Sequence, residues 1–257
     1  MTLAQRLAAD EVLFTSWSGM PDALVAEAFA ALPFDAVTMD MQHGGHHEDS
    51  VLRAIAPIRA KGKPAIVRIP VGRWDMVSRA LDFGADAVIA PMVNSVEDAQ
   101  RFAAFAKYPP LGERSWGPSF AFPRLGQGTA QEFLQQSNTR TLAFAMIETR
   151  AAYEALDDIL AVPGIDAIFV GPADFSIAWT HGRELNPTLD DMMPTIADIA
   201  TRARAAGKYC GIYITDPAIT GRFVEMGFRL LANGNESQLM QLGAKALLGD
   251  MRSALPE

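Results

Sequence analysis

The fold is decided by two apolar runs that each lead into an acid: Leu142-Ala-Phe-Ala-Met-Ile-Glu148 and Ala167-Ile-Phe-Val-Gly-Pro-Ala-Asp174. Each run is rich in β-forming residues, and a helix is predicted to begin next to each acid. If the runs are neighbouring parallel strands, both acids lie at the same face of one sheet, because parallel strands end on the same side. Two acids placed in this way can share a divalent cation, so metal-assisted chemistry is the leading hypothesis.

Outward from these runs, strand-like and helix-like segments alternate along the chain. The predicted strands are Leu13–Trp17, Ala36–Asp40, Ala65–Arg68, Ala87–Ala90, Leu142–Ile147, Ala167–Val170, Tyr209–Ile214 and Phe228–Ala232. Amphipathic segments predict helices over 22–31, 48–60, 76–83, 96–106, 151–160, 189–206 and 218–226, and after Ser237. Eight such units in 257 residues predict an α/β fold, a parallel eight-stranded TIM (β/α)8 barrel that forms one domain over residues 1–257.

An open doubly wound sheet is the structural competitor of the barrel. Such a sheet usually carries a glycine-rich dinucleotide loop after its first strand, and Trp17-Ser-Gly-Met-Pro21 does not have that pattern. No linker-like stretch divides the chain into two domains. The barrel is therefore the preferred architecture.

Composition limits the classes of function. A net charge of −8 and a pI near 5.0 argue against a nucleic-acid partner, which would call for clustered Lys and Arg. The start of the chain is charged too early for a signal peptide, and no run approaches the roughly 18 apolar residues of a membrane span. The chain is predicted to be soluble and cytoplasmic. Its single cysteine, Cys210, excludes an intrachain disulfide and a multi-cysteine metal cage.

Five polar residues are predicted to meet at the C-terminal ends of the strands, where TIM barrels place their chemistry: Asp40, His43, Arg68, Glu148 and Asp174. Each has a simpler explanation on its own. Either aspartate could cap a helix, the glutamate could complement a helix dipole, the arginine could form a structural ion pair, and the histidine could be a turn residue. Convergence at one face favours a functional site over coincidence.

The chemistry of these side chains suggests their roles. Glu148 and Asp174 suit Mg²⁺ or Mn²⁺, hard cations that accept oxygen ligands from a substrate. Arg68 is placed to stabilise the enolate of a 2-keto acid chelated by the cation. Proton transfer needs an acid/base side chain, and His43 is the predicted one, with Asp40 orienting its ring or raising its basicity. A hydroxide or water on the cation, positioned by His43, is the alternative base.

The chain resembles the HpcH/HpaI family of class II pyruvate aldolases, also called the 2,4-dihydroxyhept-2-ene-1,7-dioate aldolase family, over nearly its whole length. The matching stretches are Asp35-Ala-Val-Thr-Met-Asp-Met-Gln-His-Gly44, Val67-Arg-Ile-Pro70, Gly84-Ala-Asp-Ala-Val-Ile-Ala-Pro-Met-Val93, Tyr108-Pro-Pro-Leu-Gly-Glu-Arg114, Ile147-Glu-Thr-Arg150 and Gly171-Pro-Ala-Asp-Phe-Ser176. The last three together are specific. The resemblance implies a metal-dependent lyase that reversibly adds pyruvate or hydroxypyruvate to an aldehyde and cleaves 4-hydroxy-2-keto acids.

The resemblance also implies roles for individual residues. Glu148 and Asp174 correspond to the ligands of a divalent cation, Mg²⁺ or Mn²⁺ with Co²⁺ as a further option. His43 with Asp40 corresponds to the acid/base dyad, and Arg68 to the arginine that contacts the pyruvate carbonyl.

The substrate carboxylate and the assembly are further implications of the resemblance. Backbone amides near Ala173 and Asp174 would hold the carboxylate of the keto acid. The family forms a homohexamer of barrels in which the last helix is exchanged between partner subunits, so the same assembly is implied here.

Departures from the family pattern limit what transfers. Met146 stands where many members carry a glutamine that lines the keto-acid site, which leaves the donor preference open. Gln42 and Phe175 replace a glutamate and a leucine without removing a proposed ligand. Residues 233–236 lack an aspartate often seen there, so no phosphate or acceptor role is assigned to that loop.

The segment Leu111–Gly128 interrupts the regular alternation. Loops of this length are frequently lids or binding loops, so it is expected to shape the aldehyde pocket or a subunit interface. Trp17 is expected to line the substrate pocket from the opposite side. The alternative for the segment is a packed surface loop. His46 and His47 are predicted to form a solvated turn.

Competing mechanisms fit the residues less well. A Schiff-base aldolase needs a lysine at the catalytic mouth, and all five lysines fall before strands or within helices. A thiol nucleophile is disfavoured because Cys210 lies in the N-terminal half of strand seven. A CoA-ester lyase of the citrate or malyl-CoA lyase type could use the same acids and arginine, but no basic residues for the CoA phosphates are identified. A non-catalytic metabolite-binding barrel also remains open.

Overall fold

The computed structural model describes residues 1–125 and 128–256. In it, eight parallel strands close into a barrel in chain order, so that the first strand pairs with both the second and the eighth. This confirms the predicted TIM (β/α)8 architecture. The strands are β1 Leu13–Ser18, β2 Ala36–Asp40, β3 Ala65–Arg68, β4 Ala87–Ala90, β5 Leu142–Ile147, β6 Ala167–Val170, β7 Tyr209–Tyr213 and β8 Leu230–Ala232.

The helices surround this barrel. They are α1 Leu3–Ala8, α2 Ala23–Ala31, α3 Glu48–Ala60, α4 Trp74–Phe83, α5 Val96–Ala106, α6 Ala121–Leu125, α7 Ala130–Arg140, α8 Arg150–Glu154, α9 Leu156–Ala161, α10 Pro172–Trp179, α11 Met193–Ala205, α12 Thr220–Met226 and α13 Glu236–Ser253. Short 3₁₀ helices, Asp190–Met192 and Pro217–Ile219, precede α11 and α12. Within the described ranges, no helix is both long enough and apolar enough to cross a bilayer.

Helices α1, α6 and α7 were not predicted, and α10 was predicted only as a helix start next to Asp174. Helix α7 begins with a capping box, in which the side chain of Thr129 accepts from the backbone of Glu132 and the side chain of Glu132 accepts from the backbone of Thr129. The Thr-x-x-Glu pattern is a sequence signal for a helix start, so α7 could have been found. The predicted helix over 151–160 is divided in two, α8 and α9, at Ala155.

Side-chain alternation sorts the strand residues into an inner and an outer core. Leu142, Phe144 and Met146 of β5 belong to the cluster that fills the barrel, whereas Ala143 and Ala145 pack outward with the helix-facing core. Successive strand residues point to opposite faces, so Glu148, two residues after Met146, also points toward the inside of the barrel just beyond the end of the strand. The same alternation turns Arg68 inward two residues after Ile66, which lies in the inner cluster.

The base of the barrel, at the N-terminal ends of the strands, contains buried ion pairs. The Lys107 ammonium lies 2.7 Å from a carboxylate oxygen of Asp166, the residue before β6, and the Lys107 side chain is 1% exposed. The same ammonium donates to the carbonyl oxygens of Asn138 and Thr141 at 2.8 and 2.7 Å. This buried cation is therefore fully provided with acceptors.

Candidate active site

A cavity of about 560 Å³ opens at the C-terminal ends of the strands. Its lining combines four acids, one arginine, one histidine and several aromatic side chains. The lining residues are Trp17, Gly19, Met20, Asp40, His43, Gly44, Gly45, Arg68, Met146, Glu148, Phe169, Gly171, Pro172, Ala173, Asp174, Tyr213, Thr215, Asn235, Glu236 and Ser237. All the residues predicted for the site are among them.

Asp40 and Arg68 form a buried ion pair because the strand register places them side by side. They are Cα partners at the ends of β2 and β3. Arg68 donates from Nε to Oδ1 of Asp40 at 2.9 Å and from Nη2 to Oδ2 at 2.7 Å. Burial by itself would raise the pKa of Asp40, but the hydrogen bonds and charge of Arg68 outweigh it and hold that pKa below its usual value. Asp40 is therefore ionised, and Arg68 is held in a fixed, two-point geometry.

Trp17 braces this pair from β1. Its indole Nε1 donates to Oδ2 of Asp40 at 3.2 Å, and the Arg68 guanidinium lies 4.9 Å from the indole ring centroid. Phe169 and Tyr213 pack against the same indole, with ring centroids 5.8 and 5.2 Å away. Trp17 thus forms a rigid aromatic wall beside the charged groups.

His43 lies on the turn that follows β2, and its side chain is exposed at the cavity. Oδ1 of Asp40 accepts from the backbone N–H groups of Gln42 at 2.9 Å and His43 at 3.2 Å. The remaining contacts of Asp40 go to Arg68 and Trp17. Asp40 therefore positions His43 through its main chain, which corrects the expectation of a contact to the imidazole ring.

Glu148 is buried without a cationic partner in the described part of the chain. Its side chain follows β5 and is 2% exposed, and Oε2 accepts from the backbone N–H of Met92 at 2.8 Å. Met92 presents that N–H from a left-handed conformation with φ of 54°, which is uncommon for a non-glycine residue. Burial raises the pKa of Glu148 to about 7; the Met92 hydrogen bond opposes the shift, the negative charge of Asp174 adds to it, and Arg68 offsets part of it.

Asp174 and Ala173 lie in the first turn of α10. Pro172 occupies the first helical position and no side chain caps the helix, so the backbone N–H groups of Ala173 and Asp174 are available at its N-terminus. Residue 171, which precedes this helix, is a glycine: a Cβ there would lie 2.5 Å from Oε1 of Glu148, so a larger residue would displace that carboxyl group.

The carboxylates of Glu148 and Asp174 fit a hard divalent cation that takes only some of its ligands from the protein. Among the described residues, no cluster of three or more His, Cys, Asp or Glu side chains could hold a metal. Glu148 and Asp174 would thus supply two carboxylates and leave the other positions to water and substrate oxygens, as Mg²⁺ commonly requires. The mutual repulsion that helps raise the pKa of Glu148 is the condition that a cation between two acids would relieve.

Comparison with known proteins identifies the family. The protein-family model described as HpcH/HpaI aldolase/citrate lyase matches residues 13–241 of this chain. The chain belongs to the HpcH/HpaI aldolase/citrate lyase family. It is therefore an enzyme of the carbon–carbon lyase class that performs aldol chemistry, which sets aside the non-catalytic barrel.

Named relatives and a solved structure support the assignment. A hydroxypyruvate/pyruvate aldolase of Rhizorhabdus wittichii is 34% identical and covers 92% of this chain and 93% of its own. A 4-hydroxy-2-oxo-heptane-1,7-dioate aldolase of Salmonella dublin is 32% identical over 90% of this chain and 87% of its own. The crystal structure of an HpcH/HpaI aldolase from Desulfitobacterium hafniense superposes with a TM-score of 0.85 at 26% identity, covering 100% of this chain and 98% of that one.

Several cavity residues of this HpcH/HpaI aldolase were not found by sequence reasoning. Asn235, Glu236 and Ser237 line the cavity, although no role was assigned to the loop before α13. Tyr213 lines it from the end of β7, as the inward alternation of that strand could have indicated. His46 is 4% exposed and hydrogen-bonded to two serines, so the predicted solvated turn is wrong for this residue. No local sequence signal distinguishes it from His47, which is exposed.

The segment 111–128 does not line the cavity in the part that the structure describes. Trp116 packs against Tyr108 and Phe133 on the outside of the barrel, and Arg114 pairs with Asp82 at 2.6 Å. The expectation that the described part shapes the aldehyde pocket is therefore not met within this chain. Its residues 126 and 127 lie outside the described ranges.

Neither a lysine nor the cysteine is among the described residues that line the cavity. Cys210 belongs to β7 and is buried against α11, and this burial raises the pKa of its thiol to about 12. A Schiff base and a thiolate nucleophile are both inconsistent with this arrangement.

Proposed function

We propose that this enzyme is a divalent-cation-dependent aldolase that reversibly adds pyruvate or hydroxypyruvate to an aldehyde, and so cleaves 4-hydroxy-2-keto acids. The observation that carries the proposal is Glu148: a buried acid with a raised pKa, next to a second acid and close to a fixed arginine. Perturbed acids in a cavity are a sign of function, since the fold alone would not require them.

Glu148 and Asp174 are the residues that would hold the cation, Mg²⁺ or Mn²⁺ being favoured by the all-oxygen donors and Co²⁺ remaining an option. Related family members are generally dependent on a divalent metal. When bound, the cation supplies positive charge that polarises the keto group of the substrate.

The keto acid would be oriented by main-chain and side-chain donors of this chain. Its carboxylate would accept from the backbone N–H groups of Ala173 and Asp174, because a helix N-terminus combines unpaired donors with a favourable dipole. Arg68 would stabilise the negative charge that develops on the keto oxygen as the enolate forms. Since Asp40 and Trp17 already hold Arg68 in place, little reorganisation is needed at that moment.

His43 would move the proton at the aldehyde end. In cleavage, it takes the proton of the 4-hydroxyl group while the C3–C4 bond breaks and its electron pair passes into the enolate. In the reverse reaction, the aldol addition, His43 returns that proton to the oxygen of the former aldehyde. An exposed imidazole at the cavity rim is suited to this exchange with solvent.

The relatives support a short 2-keto acid as donor and do not define the acceptor. The R. wittichii relative is named for hydroxypyruvate and pyruvate, and the S. dublin relative for a seven-carbon dioate. Met146 is buried at the cavity floor, where it offers no hydrogen bond to a hydroxyl group on the donor. Trp17, Met146 and Phe169 provide an apolar floor on which a small donor would pack.

Proton exchange at the pyruvate methyl group tests this proposal. The loss of the methyl signal in deuterated buffer, followed by NMR, reports enolate formation without an acceptor. We expect exchange in the presence of Mg²⁺ or Mn²⁺, loss on chelation, and loss in Glu148→Ala even with the cation present. Exchange that persists after chelation would contradict the role of the cation.

We further propose that the enzyme assembles into a homohexamer in which α13 packs on a partner subunit. Within this chain only Glu236 of the 18-residue helix is buried. A surface helix with several large exposed apolar side chains usually packs against another protein surface. The exposed side chains are Met240, Leu242, Leu247, Leu248 and Met251.

Light scattering of the purified chain tests the assembly. A hexamer is expected for the wild type, and a smaller species for the double variant Leu247→Asp and Leu248→Asp. Lys245→Ala, on the same helix, is the matched control and should keep the wild-type mass. A monomeric wild type would contradict the proposal.

A further inference from the structure

Glu236 is a buried carboxylate for which the mechanism above has no use. It is the first residue of α13 and is 5% exposed. Its Oε1 accepts from the hydroxyl of Ser18 at 2.7 Å and from the backbone N–H of Met20 at 3.2 Å, and its Oε2 accepts from the N–H of Gly19 at 2.9 Å. Hydrogen bonds to a charged acceptor are stronger than neutral ones, so Glu236 clamps the turn after β1.

The clamped turn is in direct contact with the turn that carries His43. The carbonyl oxygen of Gly19 accepts from the N–H of Gly45 at 2.7 Å. The main chains are packed so closely here that a Cβ on Gly44 would lie 2.8 Å from the Cα of Gly19 and 2.5 Å from the carbonyl oxygen of Asp40. A displacement of Gly19 would therefore be transmitted to Gly44 and Gly45, the two residues that follow His43.

A second connection runs through Ser18. Its hydroxyl lies 3.0 Å from Nε2 of His46, and Nδ1 of His46 lies 3.1 Å from the hydroxyl of Ser50 in the first turn of α3. Ser18 and His46 are both buried, so these contacts are shielded from competing water. The segment from His43 to α3 is thus connected to Glu236 at two neighbouring residues, Gly45 through Gly19 and His46 through Ser18.

We propose that Glu236 is a positioning residue for His43, acting through the contact between Gly19 and Gly45. The inference rests on the proposed role of His43 in proton transfer. Glu236 acts on the turn and not on the substrate: it sets the distance and angle at which the imidazole meets the aldehyde oxygen. Catalytic groups need this kind of support, because small displacements from the productive geometry reduce the rate strongly.

A double-mutant cycle on the cleavage of a 4-hydroxy-2-keto acid tests the proposal. We expect Glu236→Ala to lower kcat by roughly 10- to 100-fold with little change in KM, as for a displacement of about 1 Å. In a His43→Ala background, the same substitution should change kcat by less than about twofold, since residues that act as a unit are non-additive. An equal, additive loss in both backgrounds would show a structural role only and overturn the inference.

Two further variants keep the test decisive. Glu236→Gln preserves the volume of the side chain and is used in the same cycle if Glu236→Ala does not fold. Asp22→Ala removes the side-chain cap of α2, in the same loop but exposed, and should leave kcat unchanged. A comparable loss of kcat in Asp22→Ala would attribute the effect to general loosening of the loop and overturn the inference.

The outcome separates this inference from the proposed function. If wild-type enzyme shows neither pyruvate proton exchange nor cleavage, the proposed function fails. If both are present and the cycle is additive, only the role of Glu236 fails.

Discussion

The two ends of the barrel both bury charged side chains, but they treat them differently. At the base, Lys107 is 1% exposed and meets the Asp166 carboxylate and two carbonyl oxygens. At the mouth, Glu148 is 2% exposed and meets one backbone N–H and the repulsive charge of Asp174. Lys107 and Glu148 are thus buried to a similar degree, but Lys107 has a full set of acceptors whereas Glu148 has no counter-charge among the described residues that contact it.

This difference separates structural charges from functional ones. A buried ion with a complete set of partners contributes to a unique fold, and breaking it leaves an uncompensated charge. A buried acid that lacks a counter-charge destabilises the empty protein and creates affinity for whatever cation can fill the gap. Asp40 and Arg68 show that pairing also occurs at the mouth, where it fixes the position of the guanidinium.

The largest expected effect is that of Glu148→Gln, the isosteric removal of the unsatisfied charge. Activity should fall by roughly 10³-fold or more, because an interaction with developing transition-state charge is lost. The folded state should be as stable as the wild type or more so at pH 8 without metal. Steady-state cleavage rates and urea unfolding measure the two effects. A clearly destabilised variant would mean that Glu148 is structural.

Asp166→Asn is the matched change at the base and should behave in the opposite way. Removing the partner of buried Lys107 is expected to lower the free energy of unfolding by about 3 kcal/mol. Rates measured on the folded variant should stay near those of the wild type, since the pair lies at the far end of the barrel. A large loss of kcat with unchanged unfolding would remove the distinction between the two ends.

The raised pKa of Glu148 predicts how stability changes with pH. The pKa is about 7 in the folded state against an ordinary value of 4.5, so the folded state holds the proton more tightly. The stabilisation from this group is complete below the unfolded pKa and is lost as the pH rises through about 7. Between pH 5 and pH 8, metal-free wild type should lose about 2 to 3 kcal/mol more than Glu148→Gln.

Urea unfolding in chelator at the two pH values measures this difference. Added Mg²⁺ or Mn²⁺ should stabilise the wild type more at pH 8 than at pH 5, because the cation binds the ionised acid. Parallel pH profiles for the wild type and Glu148→Gln would show that Glu148 titrates normally.

The smallest expected effect follows from Gly171→Ala, which disturbs the unsatisfied acid without removing it. The new Cβ would meet Oε1 of Glu148 and displace it, so kcat should fall by roughly 10- to 100-fold. Gly182→Ala is the control: its Cβ meets open space, and its positive φ of 77° makes the change cost only about 1 kcal/mol of stability. Similar kinetic losses in both variants would point to strain in α10 and away from Glu148.

Much of the architecture and the identity of the polar residues could be predicted from the sequence. Strands β2 to β6 have the predicted bounds because each is a short apolar run that ends at a polar residue, a glycine or a proline. The start of helix α10 next to Asp174 was predicted, but its extent was not, because its eight residues carry almost no amphipathic contrast and the turn-like pair Gly171-Pro172 lies at its start. His46 was misplaced because its burial depends on Ser18, which is 28 residues earlier in the chain.

By itself, the sequence determined the barrel and the set of acids, arginine and histidine at its mouth. Both follow from local properties: apolar alternation within a strand decides which residues point inward, and the position at the end of a strand decides which face they reach. Only the tertiary structure decided which charges are paired, that Asp40 holds Arg68 and the main chain of His43, and that Glu236 reaches a serine 218 residues away. Burial and pairing arise from residues brought together by closure of the barrel, so no local pattern could contain them.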